Sequence, residues 1–300
     1  MISGVYAAAI TPRRKGQEEI DLGATWDLID FLSSKNVNGI VLLGSTGEFV
    51  HFSVEERTRL IGLAAKRSRL PVLVNISHST LDGAIELARQ AMCTKVAGLL
   101  LMPPYFFRYT QDDVEAFFTR FAHEVQPTVP TLLYNIPLFT TEIGLDTAGR
   151  LLASGAYAGV KDSSGSWENF EGLTGFAGRH NSTLMVGNDS LFPKAKAAGA
   201  SGVISGVACA VPELLVALDK SLRESTSELS TRLEVRLNQF IQRIDRFPVP
   251  VGVKEATALR GIKTGAHSID LSPAQQKALA EFGEWFKAWL PAVQKECSLA

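Results

Sequence analysis

The chain is poor in the residues that build disulfide frameworks and metal sites. Three cysteines, Cys93, Cys209 and Cys297, stand far apart in 300 residues. An odd number at such spacing makes neither a disulfide framework nor a CxxC pair, and points to a reducing compartment. Five histidines, at 51, 78, 123, 180 and 267, form no HxH or HExxH pattern. The sequence therefore supplies no ligand set for a metal. There is no GxSxG elbow for a serine hydrolase. No stretch reaches about 18 uninterrupted apolar residues, the length a membrane helix needs. The segment Met1–Ile10 has no basic start and only a short apolar run, unlike a secretion signal. Excess charge is lacking too: 30 Lys+Arg against 31 Asp+Glu leave a net of −1. That balance gives no general pull toward nucleic acid or anionic lipid. The expectation is a soluble, cytoplasmic protein with no nucleic-acid or membrane partner.

What is present is apolar and periodic. The hydrophobic share of 46% and charged share of 20% exclude a disordered chain. Short apolar runs predict strands at Val5–Ile10, Gly39–Leu43, Val72–Ile76, Ala97–Met102, Thr131–Asn135, Ala158–Lys161, Thr183–Val186 and Gly202–Ser205. Continuous runs of this length suit strands buried on both faces, as in a parallel sheet. Between them lie helical segments. Ser53-Val54-Glu55-Glu56 opens one with a capping box. Thr110-Gln111-Asp112-Asp113 opens another, with acids in the positive first turn.

Eight βα units fit before about residue 222, which predicts a (β/α)8 TIM barrel over 1–222. An open doubly wound sheet competes, but it would carry a Gly-rich loop where Thr11-Pro12-Arg13-Arg14 stands. Residues 223–300 read as an all-helical C-terminal region, with helices over Thr226–Ile244, Val251–Arg260 and Pro273–Leu290. Ser272-Pro273 is an N-cap and first-turn signal. The run Arg13-Arg14-Lys15 reads as a solvated loop.

In a barrel, chemistry sits where strands end. Lys161 ends the sixth run, where desolvation disfavours an ammonium ion and leaves free amine to attack a ketone. A lysine reaching out to solvent is the plainer reading. Tyr134 ends the fifth run; its phenol could move protons or be an ordinary core tyrosine. Gly44-Ser45-Thr46-Gly47-Glu48 ends the second run, with hydroxyls and backbone N–H groups suited to a small anion. The alternative is a simple hydroxyl-stabilised turn. Asp189, in Gly187-Asn188-Asp189-Ser190, could hold a substrate hydroxyl or serve as a helix N-cap.

Taken together, Ile10-Thr11-Pro12, Gly44–Glu48, Tyr134-Asn135-Ile136-Pro137 and Gly159-Val160-Lys161-Asp162 resemble the dihydrodipicolinate synthase / N-acetylneuraminate lyase superfamily of pyruvate-dependent class I aldolases. The four motifs occur in the superfamily's order and cover most of the barrel. The resemblance implies that Lys161 forms the Schiff base and Tyr134, aided by Thr46, transfers protons. It implies that Ser45 and Thr46 bind the carboxylate, and that Ser163, Gly187, Asp189 and Ser205 meet the rest of the substrate. It implies no metal or organic cofactor, and a homo-oligomer, expected to be a tetramer.

Two departures stand out. Dihydrodipicolinate synthases read YNxPxRT, with the Arg on the second substrate's carboxylate; here Phe139 takes that place. Their paired tyrosines after the fourth strand are here Tyr105-Phe106, so the second relay hydroxyl is missing unless Tyr105 or Tyr109 supplies it. Both departures count against lysine biosynthesis, and Gly44–Glu48 and Tyr134–Pro137 are closer to the sugar-acid aldolases, so the expectation is a lyase that cleaves or forms a 2-keto-3-deoxy sugar acid with pyruvate as one partner. The alternatives are dihydrodipicolinate synthase itself, a 2-keto-3-deoxy acid dehydratase using the same imine, or a non-catalytic 2-oxo-acid sensor. A sensor has no use for the proton-transfer residues.

Overall fold

The computed structural model describes residues 2–14, 19–224 and 227–300. Among them are eight strands: β1 Gly4–Ala8, β2 Gly39–Leu42, β3 Val72–Asn75, β4 Gly98–Leu101, β5 Thr131–Asn135, β6 Gly159–Asp162, β7 Thr183–Val186 and β8 Gly202–Ser205. They form a closed parallel barrel in the order β1 to β8, alternating with helices, and the C-terminal helices follow. This is the TIM-barrel architecture expected from the apolar runs. Every residue of β2 to β8 is buried, as the absence of polar alternation predicts.

Contacts divide the chain into two compact units. One comprises Met1–Gly4 and Ser53–Ile204, the other Val5–Phe52 and Ser205–Ala300. The first unit holds β3 to β7, with its strands in direct register, such as Leu100↔Leu132 and Tyr134↔Lys161. Its helices start where the local chemistry dictates. Ser53 accepts from Glu56 N while the Glu56 carboxylate accepts from Ser53 N, which completes the capping box of helix Val54–Arg67. Thr110 and Asp113 do the same for helix Gln111–Val125, with Asp in the position Glu usually fills.

The second unit contains the helical C-terminal region. Helices Ser227–Ile244 and Val251–Leu259 fall where their periodicity predicts; Thr226, the expected first residue, lies outside the described residues. Ser272 caps the last helix by accepting from Gln275 N, with Pro273 in the first turn. That helix runs to Cys297, beyond the expected stop at Leu290. Pro291 lacks an N–H and normally costs a helix interior about 3 kcal/mol. Here Phe282, Phe286, Trp289 and Val293 keep one face buried on both sides of it. Phe240 stacks on Trp289 at 5.6 Å, so tertiary burial outweighs the local penalty.

Two further expectations change. β1 ends at Ala8 rather than Ile10, and the Ile10 N–H turns to Cys209 Sγ at 3.5 Å. Arg13 is buried rather than solvated: its guanidinium lies 4.6 Å from the Phe52 ring centroid and 3.8 Å from Glu48. Arg14 is exposed as expected, and Lys15 lies outside the described residues. No helix among the described residues is long and apolar enough to cross a membrane.

Candidate active site

Within the first unit, β5 and β6 pair Tyr134 with Lys161 and Asn135 with Asp162. Lys161 is only 4% exposed, and its Nζ lies 3.9 Å from the centre of the Tyr134 ring. Tyr134 is itself buried. The lysine thus does not reach out to solvent: the end of β6 holds it against a phenol ring on the neighbouring strand. An amine and a phenol at this separation can share one small reacting group.

The end of β7 leaves room for this pair. A side chain on Gly187 would come 2.0 Å from Ser163 Oγ and 3.0 Å from Lys161 Cε. Any side chain there would force the Ser163 hydroxyl to turn away and the Lys161 stem to give, so Gly187, Ser163 and Lys161 lie close together. Two backbone bonds continue the ladders past the strand ends: Ser163 N donates to Asn135 O at 2.7 Å, and Gly187 N to Asp162 O at 2.6 Å. Asp189 is half-buried in the first position of the next turn. Asn188, not Asp189, is its N-cap, accepting from Ser190 N at 3.1 Å.

Behind Lys161 lies a polar network that the sequence reading missed. Asp162 is fully buried and accepts from Asn135 Nδ2 at 2.7 Å, Asn169 Nδ2 at 3.0 Å and the Ser164 hydroxyl at 2.8 Å. Burial raises its pKa, and these hydrogen bonds oppose the rise. A carboxylate next to Lys161 inside an apolar barrel was the available signal.

Arg57 was missed as well. It is buried, and it donates to the carbonyls of Ser77 at 3.0 Å and Asn75 at 2.9 Å at the end of β3. Burial pulls its pKa down to about 10, partly offset by the Tyr105 phenol. Tyr105 pairs with Thr140 across an isolated bridge, and Tyr109 N donates to Thr141 Oγ1 at 2.9 Å. Both tyrosines therefore lie on a loop joined to the segment after β5.

In the second unit, Gly44–Glu48 follows β2. Leu43 and Glu48 both take left-handed backbone conformations, φ 59° and 53°, which makes the loop turn sharply. Gly47 is the crowded glycine: a Cβ there would meet the Leu43 backbone at 3.0 Å, and Thr11 Oγ1 donates to its carbonyl at 2.7 Å. Thr46 is buried and Ser45 half-buried. A Cβ on Gly206 would sit 3.3 Å from Thr46 Oγ1, so the two approach closely. Ser205 is fully buried and its hydroxyl accepts from Ala208 N at 2.8 Å, closing the turn after β8.

Glu48 is held from two sides. Its carboxylate lies 3.3 Å from Lys254 Nζ and 3.8 Å from Arg13, and Lys254 also donates to Ala266 O at 2.7 Å. Desolvation lowers the Lys254 pKa, against the pull of Glu48. Removing one partner of such a buried pair typically costs about 3–5 kcal/mol, because the other charge stays buried. The hydroxyl-bearing loop is thereby anchored at its far end.

Comparison with known proteins assigns the chain. The model of the Dihydrodipicolinate synthetase family matches residues 1–288. The chain belongs to this family. Its members are class I aldolases, carbon–carbon lyases, and the chain shares that class. The 4-hydroxy-tetrahydrodipicolinate synthase of Alkaliphilus oremlandii is 28% identical over 279 residues, covering 92% of this chain and 94% of the relative. Among solved structures, YagE of E. coli K12, a prophage protein in complex with pyruvate, has a TM-score of 0.88 at 25% identity, covering 96% of this chain and 99% of its own. Dihydrodipicolinate synthase from Aquifex aeolicus has the same TM-score and identity, covering 96% and 98%.

Proposed function

We propose that the enzyme condenses pyruvate with an aldehyde through an imine on Lys161. The observation that carries this reading is the buried Lys161 amine 3.9 Å from the Tyr134 ring on the paired strand. The amine attacks the keto carbon of pyruvate and water leaves. The protonated imine withdraws electrons from the adjacent methyl, and Tyr134 removes a proton to form the enamine. The enamine carbon then bonds to the aldehyde carbon, and the phenol returns a proton to the new alkoxide. In the reverse direction the same steps cleave a 2-keto acid. Ser45 and Thr46 are the residues we propose for the carboxylate. Ser163, Gly187 and Asp189 take the remainder of the substrate, as does the Ser205 hydroxyl proton.

The relatives shift the order of the substrate readings. Sequence features alone favour a 2-keto-3-deoxy sugar acid. The relatives named 4-hydroxy-tetrahydrodipicolinate synthase, matching 92% of this chain in the case cited, favour aspartate semialdehyde as the aldehyde. In that reaction the new product's own amine displaces Lys161, which closes a ring and frees the enzyme. We place this reading first. The sugar-acid reading keeps one specific support: Phe139, half exposed and uncharged, stands where an Arg would meet a second carboxylate.

The two separate in a product panel. The synthase reading expects ring-forming condensation with aspartate semialdehyde to be the best reaction. If neutral hydroxyaldehydes react far better, and Phe139→Arg shifts preference toward aspartate semialdehyde, the sugar-acid reading takes its place.

The partner of the site is a second copy of the chain. Phe106 and Phe107 are 86% and 65% exposed, Leu138 is 74% exposed, and Phe139 adds to the same loops. Arg108 donates to the carbonyls of Thr140 and Pro137 and ties these loops together. An apolar patch of this kind is a solubility liability unless an interface covers it. Light scattering should give a multiple of the 32.5 kDa chain mass, with a tetramer expected, and Phe106→Ser/Phe107→Ser should lower it. A wild-type particle of one chain's mass would refute the assembly.

A further inference from the structure

Lys161 and Tyr134 are partners across two strands, and so are the residues that follow them, Asp162 and Asn135. Side chains alternate along a strand, so Asp162 and Asn135 point away from the lysine and tyrosine. On that opposite face Asn135 Nδ2 donates to Asp162 Oδ1 at 2.7 Å, and both side chains are fully buried. The amide of Asn135 is oriented by Ile143 N, which donates to Oδ1 at 3.0 Å. Helix Trp167–His180 adds Asn169 Nδ2 to the same carboxylate oxygen at 3.0 Å, and Ser164 takes the other.

A buried carboxylate is an expensive way to fill a core, since an apolar pair of similar volume avoids the desolvation cost. This one stands at the last paired position of β5 and β6, just before Pro137, which has no N–H to extend the ladder. The backbone ladder sets which residues pair and closes just beyond them, with Ser163 N on Asn135 O at 2.7 Å. A side-chain bond across the final pair adds a tie on the face opposite the lysine and tyrosine, which the backbone bonds alone do not supply. We infer that Asp162, acting through Asn135, is a positioning residue that sets the spacing between the Lys161 amine and the Tyr134 phenol. Asn169 bonds to the same carboxylate from the helix and does not join the two strands.

The inference rests on the proposed imine chemistry and is tested on its pyruvate half-reaction. Enzymatic exchange of the pyruvate methyl protons for deuterium reports imine and enamine formation without any aldehyde. Three variants are compared with wild type: Asn135→Ala, Asp162→Leu, which has no acceptor for the Asn135 amide, and Asn169→Ala. Small misplacements of reacting groups can cost as much as about 100-fold, so Asn135→Ala and Asp162→Leu are expected to lose at least tenfold in exchange kcat, with pyruvate KM changed by less than about threefold. Asn169→Ala should lose a comparable amount of thermal stability yet keep exchange within about threefold of wild type. Combining Asn135→Ala with Asp162→Leu should cost little more in exchange than either alone, because each removes the same Asn135–Asp162 bond.

Equal exchange losses in Asn135→Ala and Asn169→Ala would overturn the positioning role, since the effect would then follow stability alone. Normal exchange in Asp162→Leu would overturn it as well, and that variant keeps the branched side-chain shape if Asn135→Ala does not fold. A wild-type enzyme that neither exchanges nor traps pyruvate overturns the imine reading itself and this inference with it.

Discussion

Tyr134→Phe is expected to lower turnover by about 10² to 10⁴, the usual contribution of a positioned acid–base group. The substitution keeps the ring that lies 3.9 Å from Lys161 Nζ and removes only the hydroxyl. Packing in the buried site is therefore preserved, and the loss isolates proton transfer. Imine formation needs the amine more than the phenol. Trapping of pyruvate on the Phe variant should thus be impaired less than on Lys161→Ala. Near-normal turnover in Tyr134→Phe would reduce the tyrosine to core packing.

Gly187→Ala is expected to lower turnover by up to about tenfold, for a steric reason. The added methyl would lie 2.0 Å from Ser163 Oγ and 3.0 Å from Lys161 Cε. The serine hydroxyl must swing away, and the lysine stem must yield by several tenths of an ångström. Overpacking of this kind typically costs about 1–3 kcal/mol of stability. Chemistry is affected too: about 1 Å of displacement of a reacting group can cost 10²-fold in rate, so a shift of a few tenths is expected to cost up to about tenfold. Turnover and pyruvate trapping should fall together, since the amine itself is moved. An alanine variant with wild-type turnover would mean that Ser163 is free to leave and the lysine is not held from this side.

The barrel was legible in the sequence because most of its strands are short runs dominated by apolar residues, such as Gly98–Leu101, with no competing periodicity. Helix starts were legible for the same local reason: Ser53 and Ser272 announce themselves within three residues. The ends of elements were harder. Helix Pro273–Cys297 passes through Pro291 because burial on its far face decides its length, and burial is not a local property.

At the candidate site, Lys161 and Tyr134 could be picked out because a polar residue ending an apolar strand is conspicuous. Their supports could not. Lys254 and Glu48 are 206 positions apart, and nothing near Lys254 marks it as a buried cation. Arg13 looked like part of a solvated basic run because its partner carboxylate and aromatic ring come from a different loop. Gly187 reads from sequence as a substrate contact; its tight fit against Ser163 and Lys161 depends on the ends of β6 and β7 meeting, which spacing alone does not reveal.

The central claim is that Lys161 is the amine that carries pyruvate. Wild-type enzyme is incubated with pyruvate, reduced with borohydride, digested and mapped by mass spectrometry. The expected result is one reduced pyruvyl group per chain, on the peptide containing Lys161, with loss of activity in proportion to labelling. Lys254 is the informative rival, as another buried lysine, but its amine is engaged by Glu48 and Ala266 O. Label on Lys254 or any other lysine, or an active enzyme that takes up none, would contradict the account.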